Sequence, residues 1–555
     1  MDLHLLNPSA TAGPASVGGP RLIDDLFDRA VAQHPDWPAI DFLGRKWTYA
    51  ELGGLVRRAA RGLQDIGVAP GERVGLCLPN TPYFVIFYFA ALRIGAIVVN
   101  FNPLYAQPEL EHQIEDSGTT VMVVCDIRAI HDKVAAAAER TGVRRIIVCP
   151  MADVLPLAKS VAYRVLKRDQ RAHTPADDRH VGYARLMAHD ADPAAVRRTP
   201  DEVAVLQYTG GTTGLPKGAM LTHASLVANC QQMSAHVGHL PDRQERTLGV
   251  LPLFHVFALT TVLNYSVATA AEMVLLPRFE MKPFLKTIRR TQPTQFFAVP
   301  TLFNALNALP PDQLPDLDAM RVCVSGGAPL PLDVRQRFEE RTGVKIVEGY
   351  GLTEASPVVT CNPVAGLVKD NSAGLPLPGT VLEIRSLDDP RQVLPTGQRG
   401  EVSVRGPQLM KGYWRRPAET EQTFVDGALR TGDVGYLDDD GYLFLVDRIK
   451  DIILCGGYNV YPRMIEDALY EHPAVAEAVV IGVSDSYRGQ APKAFVVLAA
   501  GVATTPQALL LFLEARLSKI EMPREIEVRD SLPKTLIGKL SKKELVKEEG
   551  ARVGR

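Results

Sequence analysis

The chain has almost no imbalance of charge. Its 555 residues carry 61 Lys and Arg against 63 Asp and Glu, a net charge of −2. That gives no support to a globally basic nucleic-acid-binding surface. Charged residues make up only 22% and hydrophobic residues 46%, which excludes disorder as the main state. Cysteine is sparse: seven, scattered, with no CxxC pair and no Cys/His cluster of zinc spacing. Free thiols in a reducing compartment are expected. None of the twelve histidines forms an HExxH. Long apolar runs are missing too. The most apolar stretch, Tyr83 to Val99, is short for a membrane span and contains Arg93. It reads as a core helix passing through Gly95 into a strand. Residues 1–20, rich in Gly, Pro, Ala and Ser, lack the basic and apolar regions of a secretory signal and read as a loose tail.

What is present is alternation. From Leu22 to about Pro200, helical patterns alternate with short β-branched runs at 73–78, 96–101, 121–125 and 145–149. A second block, about 201–373, has strand candidates at 203–209, 273–277, 296–300 and 321–326. Strands separated by helices imply largely parallel sheets, with ligands at the strand ends. Between about Gly374 and Val446 the segments shorten and alternate, as in a small antiparallel or barrel-like unit. After Asp447, helical and strand patterns suffice for a small α+β domain. The expected fold is therefore α/β. A large N-terminal domain (21–447) comprises two α/β subdomains (about 21–200 and 201–373) and a β-barrel-like one (374–447). A small mobile α+β domain (448–555) follows.

One segment, 151–168, has amphipathic character. Val154, Ala158, Val161 and Val165 share a helical face, with Leu157 beside them, and Lys159, Arg164 and Lys167 lie off its centre. An ordinary surface helix facing the core is favoured on pattern alone. A basic helix lying on an anionic membrane is the alternative.

The densest chemical signal is Tyr208-Thr209-Gly210-Gly211-Thr212-Thr213-Gly214-Leu215-Pro216-Lys217. Its glycines let successive N–H groups face one anion, the threonines add hydroxyls, and Lys217 adds charge, which together suit a polyphosphate. It is not a Walker A loop, because Gly218 follows the lysine. Three clusters fit the same nucleotide site. Ser325-Gly-Gly327-Ala328-Pro329 has small residues that admit a flat ring. Glu348-Gly349-Tyr350-Gly351-Leu-Thr353-Glu354 offers an aromatic face, a hydroxyl and a carboxylate suited to Mg²⁺. Thr431-Gly-Asp433 supplies an acid for ribose hydroxyls.

In this order the motifs resemble the adenylate-forming superfamily of acyl-CoA synthetases, luciferases and peptide-synthetase adenylation domains, over about residues 22–545. Within it the chain looks most like the bacterial long-chain fatty-acid–CoA ligases, on Tyr208–Gly214, Val99-Asn-Phe-Asn-Pro-Leu-Tyr105 and Gly456-Gly457-Tyr458-Asn-Val-Tyr-Pro462. Gly210 stands where many relatives have Ser. The resemblance implies that Thr209 to Lys217 hold the β- and γ-phosphates. Gly327, Ala328 and Pro329 would line the adenine pocket, with Glu348, Gly349 and Gly351 around it and Tyr350 stacking on the ring. Thr353 would contact the α-phosphate and Glu354 would hold Mg²⁺. Asp433 and Arg448 would bind ribose, and His255 would border the acyl pocket. Lys450 would be the pivot of a hinge. Lys539, in Pro533-Lys-Thr-Leu-Ile-Gly-Lys539, would be the catalytic lysine, although Ile537 and Lys542 replace the family's usual Ser and Arg. Lys542, Lys543 and Lys547 otherwise read as a solvated face.

The activity so implied is ATP-dependent ligation of a fatty acid, of long chain, to coenzyme A through an acyl-adenylate. Alternatives are ligation of medium-chain or aromatic acids, loading of a carrier protein, and a non-catalytic lipid-binding protein on the same scaffold. The expected small molecules are ATP, Mg²⁺ and coenzyme A as co-substrate. Partners are a fatty-acid substrate and no nucleic acid, with a membrane surface (through 151–168) and a second copy of the chain left open. The expected location is cytoplasmic, with the membrane's cytoplasmic face open as a peripheral site.

Overall fold

Apolar residues in the stretch beginning at Tyr83 have one stable destination, the interior. In the computed structural model, helix Pro82–Arg93 is buried from Pro82 to Leu92, and its Arg93 pairs with Asp28. It leads through Gly95 into strand Ile97–Asn100, as the sequence suggested. Described are residues 19, 21–209, 216–238, 243–456, 458–485, 487–499, 501–535 and 539–553. Among them, no helix is long and apolar enough to cross a membrane.

Two sheets form the large N-terminal part. One has seven strands, and its central strands Arg73–Cys77, Ile97–Asn100, Val121–Cys125 and Arg145–Cys149 run parallel. The other has nine, including the parallel set Arg246–Gly249, Gln295–Ala298, Val322–Gly326 and Val347–Gly351. The expected strands form, but sheet membership does not follow the 200/201 boundary. Val203–Thr209 pairs parallel with Ile97–Asn100 in the seven-stranded sheet, and Lys217–Thr222 closes that sheet as an antiparallel edge. Pro38–Phe42 crosses the other way, pairing with Glu272–Leu275. The chain thus enters each sheet from both sides of that boundary. One hydrophobic core, from Ile23 to Leu429, spans both sheets.

The smaller five-stranded sheet, Val381–Arg385 to Leu443–Arg448, is antiparallel throughout. Its longest strand, Ala428–Leu437, pairs with Leu443–Arg448 so that Asp433 stands opposite Arg448. Beyond Arg448, strands Ile453–Cys455, Tyr458–Val460, Val475–Asp485, Gly489–Leu498 and Glu525–Val528 form a separate sheet with its own apolar cores.

Two expectations are corrected. Within 151–168, Met151–Val154 is a short 3₁₀ turn and the α-helix runs Leu157–Leu166. Its apolar residues do not face the core: Leu157, Val161, Val165 and Leu166 are exposed, whereas Ser160 is buried. Lys542 is not part of a solvated face: it is half-buried and pairs with Glu466 at 3.1 Å. Lys543 and Lys547 are exposed, as expected.

Candidate active site

Three parallel neighbours, Gln295–Ala298, Val322–Gly326 and Val347–Gly351, deliver their C-terminal ends to one edge of the nine-stranded sheet. Loops at such an edge form the usual ligand crevice of an α/β sheet. Gly327 begins the middle loop at φ +81°, a conformation that favours glycine. A Cβ there would sit 2.9 Å from Lys539 Cε and 3.3 Å from its Nζ. The lysine from the far end of the chain is therefore seated on the small-residue loop. Ala328 is half-buried, and Pro329 is exposed beside it.

The Lys539 ammonium lies in cationic company. Burial, and then the Arg448 guanidinium, push its pKa down to about 8, partly offset by Asp433. His255 caps the short helix Val256–Ala258, its Nδ1 accepting the Phe257 N–H at 3.3 Å. Burial first, and then the Lys539 charge, push its pKa down to about 3, so it is neutral at ordinary pH. The Phe257 ring closes on Gly326, where a Cβ would meet it at 3.0 Å. His255 thus adjoins the same strand end as Gly327.

Asp433 joins two of the expected groups. Its Oδ2 accepts the Tyr350 hydroxyl at 2.6 Å, and its Oδ1 pairs with Arg448 Nε at 3.0 Å. Asp433 holds the Arg448 pKa above its ordinary value. Burial, then Asp433, raises that of Tyr350. Glu348 is half-buried two residues before Tyr350 and accepts the Leu330 N–H at 3.4 Å. Burial pushes its carboxyl up to about 7, against the lowering effect of Arg463.

Thr353 and Glu354 lie in the 3₁₀ turn Thr353–Ala355. Gly351 admits this turn, because a Cβ there would lie 2.1 Å from the Pro357 carbonyl oxygen. Glu354 Oε1 accepts the Tyr413 hydroxyl at 2.7 Å. The Tyr413 ring lies beneath Lys217 Nζ, 5.3 Å from its centroid, and Lys217 also pairs with Glu419. Lys217 faces Thr209 across the antiparallel strands Val203–Thr209 and Lys217–Thr222. Gly210, Gly211, Thr212, Thr213 and Gly214 of the phosphate-loop motif lie outside the described residues. Tyr208 turns inward, its hydroxyl donating to Asp116 Oδ2 at 2.6 Å.

Glu354 is the carboxylate that would hold Mg²⁺. No group of three metal-binding side chains occurs among the described residues. A single protein carboxylate suits an ion held mainly by substrate phosphates and water.

The segment Met410–Arg416 was not singled out in the sequence. Besides Tyr413, Met410 N–H donates to the Glu354 carbonyl, Trp414 Nε1 donates to the Asp116 carbonyl, and Arg416 pairs with the Asp116 carboxylate. It ties the Lys217 strand to the Glu354 turn. Its aromatic and basic composition was the one available signal, and that does not say what it touches.

Lys450 lies in the turn Ile449–Asp451, next to Arg448, and burial followed by the Arg448 charge lowers its pKa, against the raising effect of Asp451 and Asp433. Gly456 and Tyr458 lie on the small C-terminal sheet, Gly456 at φ +58° and Tyr458 65% exposed, while Gly457 lies outside the described residues.

The AMP-binding enzyme family matches residues 27–414, and the AMP-binding enzyme C-terminal domain matches residues 464–539. A long-chain-fatty-acid–CoA ligase of Bacillus subtilis (strain 168) is 41% identical over 534 residues, 95% of each chain. A feruloyl-CoA synthase of an Amycolatopsis species is 36% identical, covering 94% of this chain and 98% of its own. The crystal structure of ATP-bound MatB from Rhodopseudomonas palustris superimposes with a TM-score of 0.82 at 29% identity, covering 96% of this chain and all of that one. With family models matching most of its length and a relative this similar end to end, the chain belongs to the AMP-binding enzyme family.

Proposed function

We propose that the protein ligates a long-chain fatty acid to coenzyme A, consuming ATP and releasing AMP and pyrophosphate. The observation that carries this reading is Lys539, seated on Gly327 beside Arg448 and Asp433. The Bacillus relative supports the acid class.

The reaction has two halves. A carboxylate oxygen attacks the α-phosphorus of ATP, the bond to the β-phosphate oxygen breaks, and pyrophosphate leaves. Two anions must approach each other, so fixed positive charge has to be waiting for them. Lys539 supplies it at the α-phosphate, and Lys217 on the β- and γ-phosphate side. Asp433 and Arg448 hold the ribose end, and the Tyr350 ring, fixed through its hydroxyl, covers the base. Thr353 reaches the α-phosphate. Mg²⁺ bound through Glu354 supplies further charge neutralisation on the phosphates. His255, neutral, borders the acyl chain without adding charge. In the second half the coenzyme A sulfur attacks the acyl carbonyl, its proton passes to solvent water, the bond from the carbonyl carbon to the phosphate oxygen breaks, and AMP leaves. For this the 448–555 domain turns about Lys450 against 21–447, withdrawing Lys539 and bringing the Gly456–Tyr458 hairpin to the site. The protein acts in the cytoplasm, as a monomer or a dimer, with 151–168 toward a membrane face.

AMP release with coenzyme A, across short, medium and long saturated acids plus coumarate and ferulate, tests the assignment. The long saturated acids are expected to give the highest kcat/KM. A preference for ferulate favours the second reading, an aromatic acid, which the feruloyl-CoA synthase relative supports. Transfer to a carrier protein in place of coenzyme A contradicts both.

A pH dependence follows from the Lys539 environment. Its pKa of about 8 leaves it charged below that pH and neutral above it. The kcat/KM of ATP–pyrophosphate exchange should therefore fall as pH rises through about 8, whereas thioester formation from supplied acyl-AMP should not. Lys539→Arg, charged throughout, should flatten the alkaline limb of the exchange profile.

A further inference from the structure

Helix Leu157–Leu166 shows solvent its apolar half. Leu157 is 84% exposed, Val161 57%, Val165 69% and Leu166 76%. At about 100° per residue these four, with Ala158 and Ala162, cover one continuous half of the cylinder. The other half rests on the protein through buried Ser160 and half-buried Tyr163. Water is a poor environment for such an aliphatic stripe, and a contiguous exposed apolar patch marks an interaction surface.

The two borders of the stripe are basic. Lys159 on one side donates to the Leu43 carbonyl at 2.8 Å, and Arg164 on the other pairs with Asp153 at 2.8 Å. Both contacts hold the helix in place with its stripe outward. Lys167 and Arg168 are exposed at its C-terminal end. Over 153–170 four basic side chains meet two acids, Asp153, which pairs with Arg164, and Asp169. Lys286 and Arg290, on helix Met281–Thr291, add positive charge near Lys159, and Arg290 is partly neutralised by Asp41. A second copy of the chain on a two-fold axis would set this basic rim against itself. A layer of anionic headgroups over an apolar interior complements both features.

We propose that Leu157–Leu166 docks the protein on a bilayer bearing anionic phospholipid. Leu157, Val161, Val165 and Leu166 enter the headgroup–acyl boundary, and Lys167 and Arg168, the exposed cations at the helix end, face the lipid phosphates. A helix of this length lies flat in that layer and does not cross it. The consequence for catalysis rests on the ligase reading: a long-chain acid dissolved in the leaflet is drawn from the surface on which the enzyme sits.

The test is flotation of the full chain with phosphatidylcholine vesicles, with and without phosphatidylglycerol, in the absence of ATP and coenzyme A. Binding is expected to need phosphatidylglycerol and to weaken with salt. The triple variant Leu157→Ser, Val161→Ser, Leu166→Ser should lose binding by roughly tenfold or more. Because these side chains are exposed, its thermal midpoint and its AMP release with a soluble short-chain acid should match the parent. The pair Lys167→Glu, Arg168→Glu should abolish the phosphatidylglycerol preference. Absence of binding by the parent, equal binding by the serine variant, or equal binding to both vesicle types overturns the proposal. So does a concentration-dependent dimer that the serine variant abolishes, because the face would then be an interface between copies. Vesicle binding as expected in a protein releasing no AMP with any acid would refute the ligase reading and leave the docking helix intact.

Discussion

Lys539→Ala should abolish fatty-acid-dependent ATP–pyrophosphate exchange while sparing conversion of supplied acyl-AMP and coenzyme A to thioester. The ammonium lies against Gly327, where a Cβ would meet its Cε at 2.9 Å. It is half-buried at the strand-end crevice with Arg448 and Asp433 as charged neighbours. A preorganised cation at the phosphate undergoing substitution stabilises the transition state by about 3–4 kcal/mol, or roughly 10²–10³ in rate. The cost should appear in kcat of the first half-reaction, because the charge on the phosphate builds mainly in the transition state. Folding should be little affected, since alanine relieves a half-buried cation. Equal loss of both half-reactions, or of neither, would sink the role given to Lys539.

Asp433→Ala should raise the KM for ATP by roughly 10². Asp433 is 6% exposed and accepts the Tyr350 hydroxyl at 2.6 Å, so alanine leaves a half-buried phenol without its acceptor. A hydrogen bond to a charged group contributes about 1.5–3 kcal/mol, and the orphaned hydroxyl costs a further 1–3 kcal/mol or so. The Arg448 pair adds less, about 0–1 kcal/mol, because the Arg448 side chain is 53% exposed. Losing Asp433 also frees the Tyr350 ring from the orientation in which it covers the base. Asp433→Asn, which keeps one acceptor oxygen, should show a smaller rise, and Asp433→Ala combined with Tyr350→Phe should be less than additive. The measurement is initial rate against ATP concentration, with fatty acid and coenzyme A saturating. A fall in kcat at unchanged KM for ATP would place Asp433 in the chemical step and not at the ribose.

Much of the site is legible one element at a time. The phosphate-loop motif announces itself by its glycines, and Thr209 and Lys217 face each other because the motif joins two adjacent strands. Asp433 and Arg448 also belong to adjacent strands, so a single antiparallel turn sets them opposite each other. Lys539 stands out through its motif. No local pattern, however, says that it rests on Gly327, more than two hundred residues earlier. The same limit hides Tyr413, which joins Glu354 to Lys217, and Asp116, which receives Tyr208, Trp414 and Arg416. A tyrosine or an aspartate on a loop looks alike whether it meets solvent or a distant carboxylate.

By itself the sequence determined which segments are helices and which are strands, because burial periodicity and turn chemistry act over a few neighbouring residues. It determined the kinds of chemical group at each strand end for the same reason. Tertiary structure alone decided where those segments went. Val203–Thr209 could join either sheet on its own pattern, and its pairing with Ile97–Asn100 comes from packing across the whole large domain. Periodicity marked Leu157–Leu166 as amphipathic, yet only its neighbours determine which half they cover. Ser160, Lys159 and Arg164 hold it down, and the aliphatic half faces out. The near-zero net charge likewise concealed Lys217, Arg448, Lys539 and the basic rim of that helix, since a sum over the chain carries no positions.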